Sequence, residues 1–182
     1  FDVLETVRVR SERKMLAMLM GSNIGNYEPD AAKTLIGLLG GALRPGDGLL
    51  LGADLKKDRA TLELAYDAPA GVTAAFDRNL MARINRELDA DFDPRQFVHV
   101  AHYDEVRGAV DSFLEARQDI AASLRAADVR VTFSAGERLH TESAYKFDDA
   151  DIVRLGEGAG FRSEAAWHDR AQRFSVHLLV RR

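Results

Sequence analysis

The sequence contains no cysteine, which excludes disulfide bonds, thiolate zinc sites and a cysteine nucleophile. Its histidines form no i,i+4 pair and no ligand cluster, so we expect no metal site. No basic region followed by an apolar run opens the chain, which argues against a secretion signal. A cytoplasmic location fits these absences. The first residue is Phe1 rather than methionine, so we expect that the natural start lies upstream.

The sequence also lacks a large excess of either positive or negative charge. The 25 basic and 29 acidic residues give a net charge of -4 that is spread along the 182 residues, so we expect no nucleic-acid partner. With 46% hydrophobic and 30% charged residues, the chain is too polar for a membrane protein and long enough to bury a core. We expect one or two compact units and a monomer.

The first part of the chain has the pattern of an α/β crossover. An apolar run at 15–20 predicts a buried strand that ends in a glycine-bearing loop, 21–26. Helical spacing of apolar residues follows over 29–43, and a second apolar run over 49–53 ends at Asp54. Strand, helix and strand imply a parallel pair, with the loop at the edge where such sheets place ligands. The loop is equally typical of a capped turn, because Ser and Asn are common in turns.

The middle of the chain has a different pattern, and we interpret residues 57–146 as an inserted α+β unit. It begins with two helices, over 58–66 and over a longer segment on which Phe76, Leu80, Ile84 and Leu88 stand four apart. Three candidate strands then suit an antiparallel sheet with one wet face. These strands are 97–103, 109–116 and 129–133.

The α/β pattern returns at the end, so the core comprises 1–56 and 147–182. Asp148 is placed to cap a helix that Gly158 and Gly160 end. Two final strands, over 161–167 and 174–180, are close enough in sequence to form a hairpin.

Two further glycine patterns look like dinucleotide fingerprints but lie in the wrong context. The glycines of 46–52 lead into a strand, and those of 156–160 follow a helix. Phosphate binding needs the glycines between a strand and the amino terminus of a helix. Neither pattern therefore predicts a nucleotide site.

A series of short blocks gives the sequence a specific resemblance, which runs from about residue 15 to the final strand. The blocks occur in the order, and at the intervals, typical of the histidine Nα-methyltransferases of ergothioneine biosynthesis, which depend on S-adenosylmethionine. The chain therefore resembles that family. The blocks are 20–27, 44–55, 65–67, 71–76, 84–88, 90–93, 136–137 and 141–142.

The resemblance implies a fold and a cofactor site. The fold would be α/β, the carboxy-terminal half of a class I (Rossmann-like) methyltransferase sheet with the inserted α+β unit binding substrate. S-adenosylmethionine would be the co-substrate, and most of its site, including a glycine-rich loop, would lie before Phe1. Phe1, Gly21 and Ser22 are the candidate cofactor contacts in this chain, and we expect the chain by itself to be inactive.

The resemblance also implies an amino-acid pocket. Asn26 and Tyr66 would hold the substrate carboxylate, and Glu142 would face an imidazole side chain. An amide N–H and a hydroxyl can bind a carboxylate without a cation and so fix the adjacent α-amine in space. Because the sulfonium is already a strong electrophile, no catalytic acid or base is expected. Taken alone, Tyr66 is equally typical of a helix residue under a loop, and Glu142 of a solvated charge.

Two departures from the family pattern bear on the substrate. Ser112 stands where the family usually has a methionine beside the substrate ring, and Ala144 stands where it usually has a serine. Ser143 is a candidate to supply the displaced hydroxyl. We therefore predict methylation of the α-amine of histidine or a related amino acid. The alternatives are a different amino-acid-like amine, or a non-catalytic fragment that binds amino acids.

Overall fold

The computed structural model describes residues 13–182, and in it the chain forms two compact units. The core unit comprises residues 13–57 and Ser143–Arg182, and the inserted unit comprises Asp58–Glu142. The predicted insertion, 57–146, therefore extends four residues beyond the observed end at 142. The physical reason is that the residues after Glu142 already contact the core unit, where Tyr145 donates to Glu28 and Lys146 pairs with Asp54.

The secondary structure is mixed. Within residues 13–182 the helices are α1 (Pro29–Ala42), α2 (Arg59–Tyr66), α3 (Val72–Leu88) and α4 (Asp149–Gly158). Over the same part of the chain, the strands are β1 (Leu16–Leu19), β2 (Gly48–Asp54), β3 (Phe97–Asp104), β4 (Ala109–Ala116), β5 (Ile120–Leu124), β6 (Val129–Phe133), β7 (Arg138–Tyr145), β8 (Phe161–His168) and β9 (Phe174–Arg181). None of these helices is both long enough and apolar enough to cross a membrane.

The core unit contains a four-stranded sheet in the order β1-β2-β9-β8. Strands β1 and β2 are parallel, which confirms the predicted crossover through α1. Strands β8 and β9 form the predicted antiparallel hairpin, and β9 also runs antiparallel to β2. Side chains from α1 and α4 pack on this sheet in one buried cluster, which includes Ile36, Leu39, Leu51, Ile152, Phe161 and Leu179. Burial of this apolar surface fixes α1 and α4 against the strands.

Helix α4 begins at the predicted cap. The Asp148 carboxylate accepts a hydrogen bond from the Asp151 backbone N–H at 2.8 Å, and the Asp151 carboxylate accepts one from the Asp148 N–H at 3.0 Å. The two side chains thus satisfy two backbone donors reciprocally, as in a capping box. At the other end, Gly160 adopts φ +79°, a conformation that favours glycine.

The inserted unit differs from the prediction in its sheets. Strands β3 and β4 pair as expected, but 129–133 does not join them. It pairs with β5 in a separate two-stranded sheet, and the third strand beside β4 is β7. Strand β7 has the sequence RLHTESAY, whose mostly polar residues give no apolar run, so its strand character has no signal in the sequence.

Helix α3 buries only part of the face that its apolar series indicates, because Ile84 packs against the buried apolar cluster of this unit whereas both ends of the series are exposed. Phe76 is 67% exposed and Leu88 is exposed as well. The buried side chains are Ala74, Asp77 and Met81. The helix therefore carries a carboxylate on its buried face, and this carboxylate needs a partner.

Replacing Asp148 with alanine should lower the free energy of unfolding by about 1 kcal/mol near neutral pH, because it removes the helix cap. The hydrogen bond from Lys56 Nζ, at 2.9 Å, lowers the pKa of Asp148 below its ordinary value of 3.8. A lowered pKa in the folded state means that the contribution is present above pH 3.8 and is lost as the pH falls through the folded-state pKa. Urea unfolding at neutral and acidic pH measures this.

The matched control for the cap variant is Asp30→Ala. Asp30 lies in the first turn of α1 and is exposed, and α1 has no side-chain cap bond. The control should change stability by less than about 0.5 kcal/mol. A cap variant that lost as much stability at low pH as at neutral pH would contradict the assignment.

Candidate functional site

The loop after β1 is folded on itself. Gly21 and Ser22 both have positive φ, at 74° and 56°, and they turn the chain sharply after the strand. The Ser22 carbonyl accepts a hydrogen bond from the Gly25 N–H at 2.8 Å, which starts a short 3-10 turn over Asn23–Asn26. Asn23 Nδ2 donates to the Met20 carbonyl at 2.8 Å, and Ile24 is fully buried. Hydrogen bonds within the loop itself therefore hold the predicted loop together.

The loop is also bonded to the end of β2. The Asp54 backbone N–H donates to Ser22 Oγ at 2.9 Å. The Asp54 carboxylate in turn forms an ion pair with buried Lys146, at 3.1 Å, and contacts Lys57. Because β1 and β2 are parallel, their carboxyl ends lie at the same edge of the sheet. This edge is the place where open α/β sheets bind ligands.

Gly25 is required by a close backbone approach. A Cβ atom at this position would lie 2.7 Å from the Tyr145 carbonyl oxygen, nearer than real Cβ atoms come to a backbone atom. The Tyr145 hydroxyl donates to the Glu28 carboxylate on the other side of the loop. Asn26, which is exposed, therefore lies between two anchored points.

Tyr66 is the last residue of α2 in the inserted unit and is half-buried. Its ring packs against a small apolar cluster formed by Leu62, Tyr103 and Val110. Its backbone carbonyl accepts a hydrogen bond from His99 Nε2 at 3.0 Å. Both the ring and the backbone of Tyr66 are thus held within this unit.

Ser112 lies on β4 and is fully buried. Its hydroxyl has no hydrogen-bond partner within residues 13–182, whereas its carbonyl accepts from Thr141 Oγ1 at 3.0 Å. A buried hydroxyl without a partner is costly, and such a group is uncommon in folded proteins. The Ser112 side chain is therefore an irregularity of the structure.

The last two candidates, Glu142 and Ser143, lie on β7 beside Ala144. Side chains alternate between the two faces of a strand, so Glu142 and Ala144 share one face and Ser143 lies on the other. Glu142 is exposed and Ala144 is buried. Ser143 therefore lies on the opposite face of β7 from Glu142, and its proposed replacement of the displaced serine stays a prediction.

The structure divides the candidates between the two units. Gly21, Ser22, Asn26 and Ser143 belong to the core unit, and the inserted unit contributes Tyr66, Ser112 and Glu142. Phe1 lies outside the described residues.

Two pairs of ionisable side chains with buried members were not predicted from the sequence. Lys146 pairs with Asp54 in the core unit, and Asp77 pairs with His99 in the inserted unit. The neighbouring residues do indicate that these two side chains are buried. Lys146 lies between two aromatic residues, and His99 alternates with apolar residues on its strand. Such patterns do not reveal the partner, which is distant along the chain.

Two other histidines lie away from this edge. His168 Nε2 bonds to Asp149 at 2.9 Å, and His177 Nε2 bonds to Ser175 Oγ at 3.0 Å. Burial lowers the pKa of His177, so its ring is neutral near pH 7. Over the described part of the chain, no group of three or more acidic or histidine side chains is arranged to hold a metal ion.

Replacing Gly25 with alanine should displace the loop, because the new methyl group would overlap the Tyr145 carbonyl. We expect a loss of about 1 to 3 kcal/mol of stability. Thermal unfolding of the variant measures this, with Gly37→Ala on α1 as the control. A Cβ atom at Gly37 meets nothing within 4 Å, so the control should be neutral or stabilising. Equal behaviour of the two variants would contradict the close approach.

Replacing Ser112 with alanine should leave stability unchanged or raise it by up to about 1 kcal/mol, because a hydroxyl without a partner is removed. The matched control is Ser175→Ala, since Ser175 is equally buried but bonds to His177. The control should lose about 1 kcal/mol. Urea unfolding compares the two, and a clear loss for the Ser112 variant would show that its hydroxyl has a partner.

Comparisons with known proteins identify the family to which this chain is similar. The family model described as "Histidine-specific methyltransferase, SAM-dependent" matches residues 1–181. The histidine N-alpha-methyltransferase of Mycolicibacterium smegmatis is 42% identical over 168 residues, which is 92% of this chain and 52% of that protein. The corresponding protein of Mycobacterium tuberculosis is 40% identical over the same shares. The chain thus spans about half the length of the curated relatives it matches.

More distant likenesses are also found. Ergothioneine biosynthesis protein 1 of Schizosaccharomyces pombe is 21% identical over 98% of this chain and 23% of its own length. Among solved structures, an S-adenosylmethionine-dependent methyltransferase from Clostridium acetobutylicum covers 94% of the chain and 60% of its own, at 9% identity and a TM-score of 0.48. The CcbJ methyltransferase of Streptomyces caelestis has the same TM-score at 10% identity, over 94% and 63% of the two chains. At such scores, the family match and not the structural likeness carries the assignment.

Proposed function

Because this chain belongs to the family of histidine-specific, S-adenosylmethionine-dependent methyltransferases, we propose that its protein methylates the α-amino group of histidine or a related amino acid. The methyl donor is S-adenosylmethionine, and the reaction belongs to ergothioneine biosynthesis. The observation that carries the proposal is the anchored loop at the carboxyl edge of β1 and β2, which presents Asn26 on a fixed backbone. The relatives at 40% and 42% identity support the choice of substrate.

The carboxylate of the amino acid is bound by neutral donors. The Asn26 amide offers N–H groups, and the Tyr66 hydroxyl offers an O–H. Both are held by their surroundings, Asn26 through the loop and Tyr66 through its cluster and its bonded carbonyl. Fixing the carboxylate fixes the adjacent α-amine, and this orientation supplies most of the rate in a transfer of this kind.

The described residues fit contact with a part of the methyl donor. Gly21 is exposed and has no side chain, so a ligand can approach the turn closely. The Ser22 hydroxyl accepts from the Asp54 N–H, which leaves its proton as the group that it can donate to a ligand. When bound, S-adenosylmethionine supplies a methyl group on a sulfonium centre. The chain needs no strong base and contributes alignment of the amine and exclusion of water.

The side chain of the substrate would meet the face of β7 that carries Glu142. An exposed carboxylate on a strand can accept a hydrogen bond from an imidazole N–H. Ala144 on the same face offers no hydroxyl, so Glu142 would be the carboxylate contact of this strand. This difference, together with Ser112, supports a second candidate, an amino acid other than histidine as the preferred substrate.

Titration calorimetry of the full-length protein with a panel of amino acids, in the presence of S-adenosylhomocysteine, tests the proposal. Histidine should bind most tightly. Asn26→Ala and Tyr66→Phe should each weaken histidine binding by about tenfold, because each removes a carboxylate donor, and should change S-adenosylhomocysteine affinity by less than about twofold.

The control for these variants is Asn79→Ala, which changes an exposed asparagine on α3 and should leave both affinities unchanged. Tight binding of a different amino acid would favour the second candidate. Equal loss of cofactor and amino-acid affinity in the Asn26 and Tyr66 variants would contradict the roles given to these residues.

The cellular location and the oligomeric state of the protein stay predictions. Its location in the cytoplasm and its monomeric state are expectations that sequencing of the whole gene and light scattering of the purified protein would check. An amino acid is the small-molecule partner that the proposed reaction requires.

A further inference from the structure

A buried pair of ionisable side chains lies behind Tyr66 in the inserted unit. His99 on β3 and Asp77 on α3 are only 1% and 2% exposed at their side chains. His99 Nδ1 is 2.8 Å from Asp77 Oδ2. Burying two such groups is costly unless their hydrogen bonds are complete, so the remaining contacts of the pair show what it holds.

The second nitrogen of His99 holds the end of α2. His99 Nε2 is 3.0 Å from the Tyr66 carbonyl oxygen. A carbonyl can only accept, so Nε2 carries a proton and donates it. The last carbonyls of a helix have no partner within the helix, and a donor at this position satisfies one of them.

The bonds of the pair leave one proton between the two side chains. Because Nε2 is already a donor, the short contact between Nδ1 and the Asp77 carboxyl requires a further proton on one of these two atoms. The pair is therefore neutral as a unit, whether it is written as imidazolium and carboxylate or as imidazole and carboxylic acid.

The same pair reaches the strand that carries Glu142. Thr141 immediately precedes Glu142, and its hydroxyl lies 3.2 Å from Asp77 Oδ2 and 3.0 Å from the Ser112 carbonyl oxygen. One buried group of polar atoms thus contacts the backbone or the neighbour of each candidate substrate residue in this unit, Tyr66, Ser112 and Glu142.

We propose that Asp77 and His99 are positioning residues for the amino-acid pocket, with Thr141 as their link to β7. They touch no substrate, and they act by fixing the Tyr66 backbone and the segment of β7 beside Glu142. The inference rests on the proposed function, since it assigns the two residues to that pocket. A well-packed apolar pair would stabilise a core at least as well, so the retained polar pair points to a requirement for geometry.

Two substitutions of Asp77 in the full-length protein separate geometry from charge. In Asp77→Asn the side-chain amide donates to His99 Nδ1 while Nε2 still donates to Tyr66, so both hydrogen bonds survive in a neutral pair. In Asp77→Leu neither Asp77 contact survives. We expect the KM for the amino acid to rise about tenfold or more for Asp77→Leu and to stay within about threefold for Asp77→Asn. The kcat and the affinity for S-adenosylhomocysteine should change by less than about threefold in both.

Two further measurements separate positioning from a merely structural role. Assays run well below the unfolding temperature of each variant keep a loss of stability from appearing as a change in KM. Nitrogen NMR of His99 should show a protonated Nε2 in the wild type and in Asp77→Asn, and an unprotonated Nδ1 in Asp77→Asn. His102→Asn, a change of an exposed histidine on the same strand, is the control and should leave KM unchanged.

Each outcome decides a separate question. A folded Asp77→Leu with unchanged KM, or an Asp77→Asn as impaired as Asp77→Leu, would overturn the positioning role. If Asp77→Leu does not fold, Thr141→Val serves instead, and an unchanged KM there would overturn the link to β7. A wild-type protein that binds no amino acid would overturn the proposed function itself, which the variants do not test.

Discussion

The hydrogen bond from the Asp54 backbone N–H to the Ser22 hydroxyl is the interaction on which the candidate edge of the core unit depends. It joins the ends of two parallel strands and so fixes where the loop after β1 begins. Lys146 holds the Asp54 carboxylate, and the Tyr145 carbonyl leaves room only for glycine at position 25. Three segments distant in sequence thus meet at one short loop, and the position of Asn26 follows from their packing.

In the inserted unit, side-chain contacts fix the position of Tyr66. Its ring is held by apolar neighbours, and its carbonyl is held by a histidine whose other nitrogen faces a buried carboxyl. In both units, the residue proposed to meet substrate is placed by groups behind it. This arrangement suits a reaction in which orientation, rather than acid or base chemistry, lowers the barrier.

Local patterns predicted the parts of the fold that local chemistry controls. The apolar runs of β1 and β2, the Asp148 cap and the final hairpin were all visible, because strand burial and helix capping act over a few residues. The sheet of the inserted unit was predicted with the wrong third strand. Strand β7 is mostly polar, and its place beside β4 depends on a pairing that no short-range pattern records.

The sequence by itself determined the family, because the order and spacing of the blocks are visible without a structure. The family in turn indicated the candidates Asn26, Tyr66 and Glu142. Only the tertiary structure decided what holds them. It showed that Ser143 and Glu142 lie on opposite faces of one strand, that the Ser112 hydroxyl is buried without a partner among the described residues, and that Asp77 faces His99. These are contacts between residues far apart in the chain, and such contacts exist only once burial has brought the elements together.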